Sequence, residues 1–94
     1  MEAESRIVSF MARASEDPRI GPMHISLYMA IVCLWAEQGF AADVVVSARS
    51  LMPVAKIGGK GPYHRSIRQL QEYGYIRYEP SCDPAVPSKV VLEG

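Results

Sequence analysis

One stretch of the chain limits the folds open to it. From Met23 to Gln38 the residues are apolar nearly all round a helix: Ile25, Leu27, Tyr28, Ile31, Val32, Leu34 and Trp35, with His24 and Ser26 near the start. A helix that is apolar on every side needs neighbours on several sides. A bilayer span needs about 20 such residues, so this shorter stretch predicts a central core helix. The chain has 94 residues, and at roughly 150 residues per domain that is one core. With hydrophobic residues at 49% and charged residues at 21%, the balance is that of a globular chain. The remaining segments must therefore wrap this helix.

Pro22 fits the first turn of that helix, where a missing N–H costs nothing. Gly39 is suited to the position just past its end, and Phe40 to closing the cap hydrophobically. Upstream, Ile7, Phe10, Met11 and Ala14 fall at i, i+3, i+4 and i+7, one face of an amphipathic helix over about residues 4–15. Glu16-Asp17-Pro18 breaks it. Met11, Met23 and Met29 with Phe10 and Trp35 are read as core. Downstream, Asp43 to Val46 is a β-branched run and predicts a short strand. Ser47 caps a helix from Ala48 to about Lys56, with Leu51, Val54 and Ala55 inward and Pro53 expected to kink or shorten it.

Ile57 to Gly61 reads as a tight turn. The next helix is expected from Pro62 to Tyr73, with Tyr63, Ile67 and Leu70 as its buried stripe. Gly74 ends it. Tyr75 to Glu79 alternates like a half-buried strand with Ile76 and Tyr78 inward. Ser81 to Pro87 is a loop, marked by the Asp83-Pro84 step, and Ser88 to Leu92 returns as a strand. The expected architecture is mainly α with a small β-hairpin: a core of three to four helices and an antiparallel sheet of two to three strands, which Val44–Val46 can join. Residues 1–19 form an N-terminal helix and loop, and residues 20–94 the main domain.

The formal net charge is zero, from ten basic and ten acidic residues. As a sum this argues against a polyanionic partner. Its distribution argues otherwise. Residues 1–44 carry −3, residues 45–78 carry +5, and residues 79–94 carry −2. The positive part holds Arg49, Lys56, Lys60, Arg65, Arg68 and Arg77 against Glu72 alone. Such a field steers polyanions without net charge. On the helix from Pro62, successive steps of about 100° turn Gly61, Arg65, Arg68 and Glu72 away from the buried stripe, with His64 and Gln69 at the flanks. A helix lying in the DNA major groove presents its N-terminal residues to base edges, and the arginine fork matches guanine O6 and N7. Gly58, Gly59 and Gly61 let backbone approach a phosphate, which the helix N-terminus favours.

The stretch KIGGKGPYHRSIRQLQEYGYIRYEPS resembles the winged helix-turn-helix family: a lysine-bearing helix end, a short turn, a recognition-type helix, then L-x-x-x-G-Y-I into a wing strand. Together with HISLYMAI, it is similar to small bacterial helix-turn-helix proteins found on mobile or conjugative elements. The resemblance covers about residues 20–92. It implies a double-stranded DNA-binding transcriptional regulator, with residues 48–56 as the supporting helix, 62–73 as the recognition helix and 75–92 as the wing. It maps DNA contacts onto Lys60, His64, Arg65 and Arg68, with Lys89 as a wing contact to backbone. Gly61, Lys56 and Arg49 complete the expected DNA-binding set.

Other chemistries find less support. Gly58-Gly59-Lys60-Gly61 lacks the Ser or Thr after lysine and the preceding strand of a phosphate-binding loop. His24 and His64 lie near no cysteine pair, so no zinc spacing exists. His24 is expected to be a satisfied histidine rather than a catalytic one, and no enzyme, cofactor or metal is expected. Cys33 and Cys82 without C-x-x-C suit reduced thiols in a cytoplasmic protein. The start, MEAESRIVSF, is acidic before it is apolar, unlike a signal peptide, and no membrane partner is expected. Tyr73, Tyr75 and Tyr78 near Arg77 offer a minor single-strand stacking reading. The alternative function is a winged-helix protein-interaction module. If Ile7, Phe10 and Met11 are not fully covered, the N-terminal helix is the expected contact of a twofold homodimer.

Overall fold

The computed structural model describes residues 2–83 and 85–93; the Pro84 half of the expected Asp-Pro step lies outside them. Four helices and three strands follow one another: α1 Glu2–Ser15, α2 Pro22–Glu37, β1 Val44–Val46, α3 Ala48–Ala55, α4 Lys60–Glu72, β2 Ile76–Glu79 and β3 Ser88–Leu92. The strands form one antiparallel sheet in the order β1-β3-β2. The fold is thus mainly helical with a small three-stranded antiparallel sheet, and the Val44–Val46 run does join the hairpin.

The central helix behaves as its composition requires. Leu27, Tyr28 and Ile31 are fully buried, with Ala30, Val32 and Trp35 nearly so. One core cluster joins α2 to Phe10 and Ala14 from α1, Leu51 and Ala55 from α3, Tyr63, Ile67 and Leu70 from α4, and Val44, Val46, Ile76, Val90 and Leu92 from the sheet. The Phe10 ring lies parallel to that of Tyr28, centroids 3.8 Å apart, and meets Tyr75 edge-on at 5.4 Å. Burying a side chain of this size stabilises by about 1.5–3 kcal/mol, which fastens α1 to the core.

Local chemistry sets the helix ends. Ser47 and Ser50 cap each other at the start of α3: Ser50 N–H donates to Ser47 Oγ at 3.0 Å and Ser47 N–H to Ser50 Oγ at 3.1 Å. Helices α2 and α4 close in the same way. Gly39 and Gly74 take positive φ (74° and 85°). Phe40 N–H reaches back to Trp35 O at 2.9 Å, and Tyr75 N–H to Leu70 O at 2.9 Å. Phe40 meets Trp35 edge-on at 4.9 Å, the hydrophobic closure expected of it. Helix α3 ends on Lys56, which takes φ 61° and ψ 37°, a left-handed conformation without glycine's freedom. Pro53 sits inside α3, which is only eight residues long.

Four expectations need correction. Helix α4 begins at Lys60, not Pro62, because proline is tolerated throughout the first turn; Lys60 and Gly61 are helical rather than part of the turn. Val54 is 58% exposed, so the inner face of α3 is Leu51 and Ala55 with Ala48 and Met52 half-buried. Met11 and Met23 lie on the surface, and only Phe10 and Trp35 of that group are buried. Tyr75, which precedes β2, is fully enclosed although the alternation that turns Ile76 and Tyr78 inward leaves it outside; Tyr78 does pack half-buried against the core.

Both outer strands meet a glutamine. The Gln38 amide, at the end of α2, takes both main-chain groups of Val45: Nε2 donates to Val45 O at 2.9 Å and Oε1 accepts from Val45 N–H at 2.9 Å. On the other side of the sheet, Gln71 Oε1 accepts from Tyr78 N–H. Outer strands otherwise present unpaired backbone groups.

Candidate nucleic-acid interface

Helix α4 divides cleanly by face. Tyr63, Ser66, Ile67 and Leu70 are buried, and burial pushes the Tyr63 hydroxyl pKa up to about 12. Lys60, Gly61, His64, Arg65 and Arg68 are all exposed. By helical rotation, Arg65 and Gly61 point straight out from the core, while Lys60, His64, Arg68 and Gln71 share the flank toward the sheet. That flank lines an open groove of about 690 Å³, with His64, Arg68 and Gln71 on one wall and Tyr78, Pro80, Ser81 and Ser88 on the other. The opposite flank is occupied. Gln69 accepts from His24 Nε2 at 2.7 Å, and His24 Nδ1 accepts from Gly21 N–H at 2.9 Å. Both nitrogens of His24 are therefore satisfied in one neutral tautomer, so this residue is a strut between α2 and α4.

The cations of this region stand free. Among the described residues the only salt bridge is Arg19–Asp17 at 2.9 Å, which leaves Arg49, Lys56, Lys60, Arg65, Arg68 and Arg77 without an acidic partner. Arg68 is exposed, and its Nε donates to the His64 carbonyl one turn back at 3.3 Å. Lys56 and Lys60 flank the turn between α3 and α4. Arg49 lies at the far end of α3. Lys89 is set apart. It pairs across the sheet with Glu79 on one side and Val45 on the other. Pleat alternation turns these away from the face that carries Tyr78 and Ser88. The structure thus brings together Lys60, His64, Arg65 and Arg68, with Lys56 adjacent, and does not bring Lys89 to the groove.

The glycines of the turn have no packing role that explains all of them. A Cβ on Gly59 would lie 3.2 Å from Pro62 Cδ, whereas one on Gly58 or Gly61 would meet nothing within 4 Å. Neither Gly58 nor Gly61 has a positive φ.

Sequence reasoning missed Gln71 and the facing wall of Tyr78, Pro80, Ser81 and Ser88, because the groove depends on how β2 and β3 lie beside α4. It also missed a cluster at the C-terminal end of α4. Arg13 donates to the Tyr73 and Gly74 carbonyls at 2.9 and 3.0 Å. Asp17 accepts from Arg19 Nε and Nη2, each at 2.9 Å, and from the Tyr75 hydroxyl at 2.9 Å. The Arg19 hydrogen bonds, chiefly, hold the Asp17 carboxyl far below the usual carboxylate range. Burial raises the Tyr75 hydroxyl pKa, and Asp17 beside it adds to the rise. The one basic residue in the last turn of α1, Arg13, is visible in the sequence; its targets, 60 and 61 positions away, are not.

Among the described residues no cluster of three or more histidine, cysteine or acidic side chains is placed to hold a metal, and no helix is long and apolar enough to cross a membrane. No protein-family model, curated protein or solved structure matches this chain.

Proposed function

We propose that the chain is a winged helix-turn-helix domain that binds double-stranded DNA and serves as a small transcriptional regulator, with α4 in the major groove and the β2–β3 hairpin as the wing. The observation that carries this reading is the exposed surface of α4, its outward face together with the flank toward the sheet. Lys60, Arg65 and Arg68 are exposed there without acidic partners, on a helix whose other face is locked into the core. Arg65 and Arg68 read bases or clamp phosphates. Lys60 and the first turn of α4 hold a phosphate, which Gly61 lets approach the backbone. His64 contributes from the flank, and Lys56 and Arg49 extend the basic surface along α3. Lys89 is left with a backbone contact from the outer face of the wing.

Replacing Arg65 and Arg68 together by alanine tests the assignment. Each specific base contact is worth about 1–3 kcal/mol, so a fluorescence anisotropy titration at low salt should show a large loss of affinity. Unchanged affinity in the double variant would refute the role of α4. A second reading, a protein-docking module, draws on Val8 and Met11, which are 68% and 39% exposed on α1. Salt separates the two. Binding through several phosphates weakens steeply as salt rises, whereas docking on an apolar α1 face responds little.

A further inference from the structure

The cluster behind α4 ties the helix to a part of the chain that lies outside the basic surface. Tyr73, Gly74 and Tyr75 join α4 to β2, so their conformation fixes the angle between the helix and the sheet. Two arginines from the N-terminal segment hold this joint. Arg13, in the last turn of α1, donates to the Tyr73 and Gly74 carbonyls and lies 4.1 Å from the centroid of the Tyr75 ring. Arg19, in the loop after α1, lies 4.2 Å from the centroid of the Tyr73 ring and is fixed there by Asp17, which also accepts from the Tyr75 hydroxyl. The fit is close: a Cβ on Gly74 would come within 3.0 Å of Arg13 Nη2. A cation at a helix C-terminus is stabilising, and here it engages the carbonyls of the two residues just past the end of α4.

We infer that Arg13 is a positioning residue for DNA recognition: from α1, without touching DNA, it sets the orientation of α4 relative to the hairpin. Arg19 supports the same joint through Asp17. This rests on the DNA-binding reading above. If recognition needs helix and hairpin engaged together, a joint that wanders leaves only a fraction of molecules competent, and apparent affinity falls by that fraction.

The test uses the full chain and a duplex selected by the wild-type protein from a random-sequence library, with a mixed-sequence duplex beside it. Arg13→Met keeps the aliphatic stem and removes the donors. Its expected result is about tenfold weaker binding to the selected duplex, as for a competent fraction near one tenth. Binding to the mixed-sequence duplex should be retained, and the slope of log K against log salt unchanged. Arg13→Lys, which can still reach a carbonyl, should recover part of the loss. Val32→Ala, a core truncation in α2, serves as the stability control and should bind as wild type at a temperature where it is folded. Should Arg13→Met fail to fold, the same measurements on Arg13→Lys and Arg19→Met decide the matter, with intermediate losses expected. Wild-type affinity in these variants overturns the inference and leaves the DNA reading standing. So does an equal loss in Val32→Ala, which would mark the effect as general instability. A salt slope reduced by about one would make Arg13 a phosphate contact instead. If no duplex is selected at all, the DNA reading fails and the inference falls with it.

Discussion

Gly61 occupies the first turn of a helix that would be more stable without it. Glycine there costs about 0.5–1 kcal/mol relative to alanine, yet its φ is not positive and a Cβ would meet open space. Gly61→Ala is therefore expected to raise the midpoint of urea unfolding by an amount equivalent to about 0.5–1 kcal/mol. If the glycine admits a phosphate, the same variant binds DNA more weakly, and the two measurements move in opposite directions. Gly61 was legible in the sequence as a candidate for close approach, because glycine's chemistry is local. The exposure of Val54 was not. Three apolar positions in so short a helix fit more than one inward direction, and the choice was made by how α2 lies against Leu51 and Ala55.

Helix α3 shows what short elements depend on. At eight residues it is below the length, about 12–15 residues, at which isolated helices persist even marginally. Its ends and its partners hold it. The Ser47–Ser50 reciprocal cap closes one end, and Ile57 N–H reaching Met52 O at 3.0 Å closes the other. The Ser26 hydroxyl of α2 also donates to the Ala55 carbonyl. Removing the cap with Ser47→Ala should cost about 1 kcal/mol in chemical denaturation, with no change in the exposed basic residues. The ends of α2 and α4 could be read from the sequence because Gly39 and Gly74 announce a left-handed residue. The start of α4 could not be placed as well. Its cap is Gly59, which forms no side-chain cap hydrogen bond, and Pro62 pointed two residues too late. The joint held by Arg13 was beyond reach for a different reason, since its partners are 60 and 61 positions away.

Across the whole molecule, charge is segregated rather than neutralised. The segment with +5 includes α3, the turn, α4 and most of β2, and the acidic residues lie mainly before and after it. One acid nevertheless bears on overall stability. Asp17 is held far below its ordinary pKa, chiefly by Arg19, so it favours the folded state at neutral pH. That contribution is complete above the unfolded value near 4 and is lost as pH falls through it toward the folded value. Thermal melts should show Asp17→Asn less stable than wild type at pH 7, with the difference shrinking steadily below about pH 4. A gap that stays constant with pH would contradict this. The two glutamines on the sheet have a consequence at the same scale. Templated growth, by which one chain's strand recruits the next into a fibril, needs vacant main-chain donors and acceptors. Gln38 already fills both at Val45, and Gln71 takes the donor at Tyr78. At these positions a short sheet rich in valine therefore offers an incoming strand one donor–acceptor pair and one donor fewer than bare edges would.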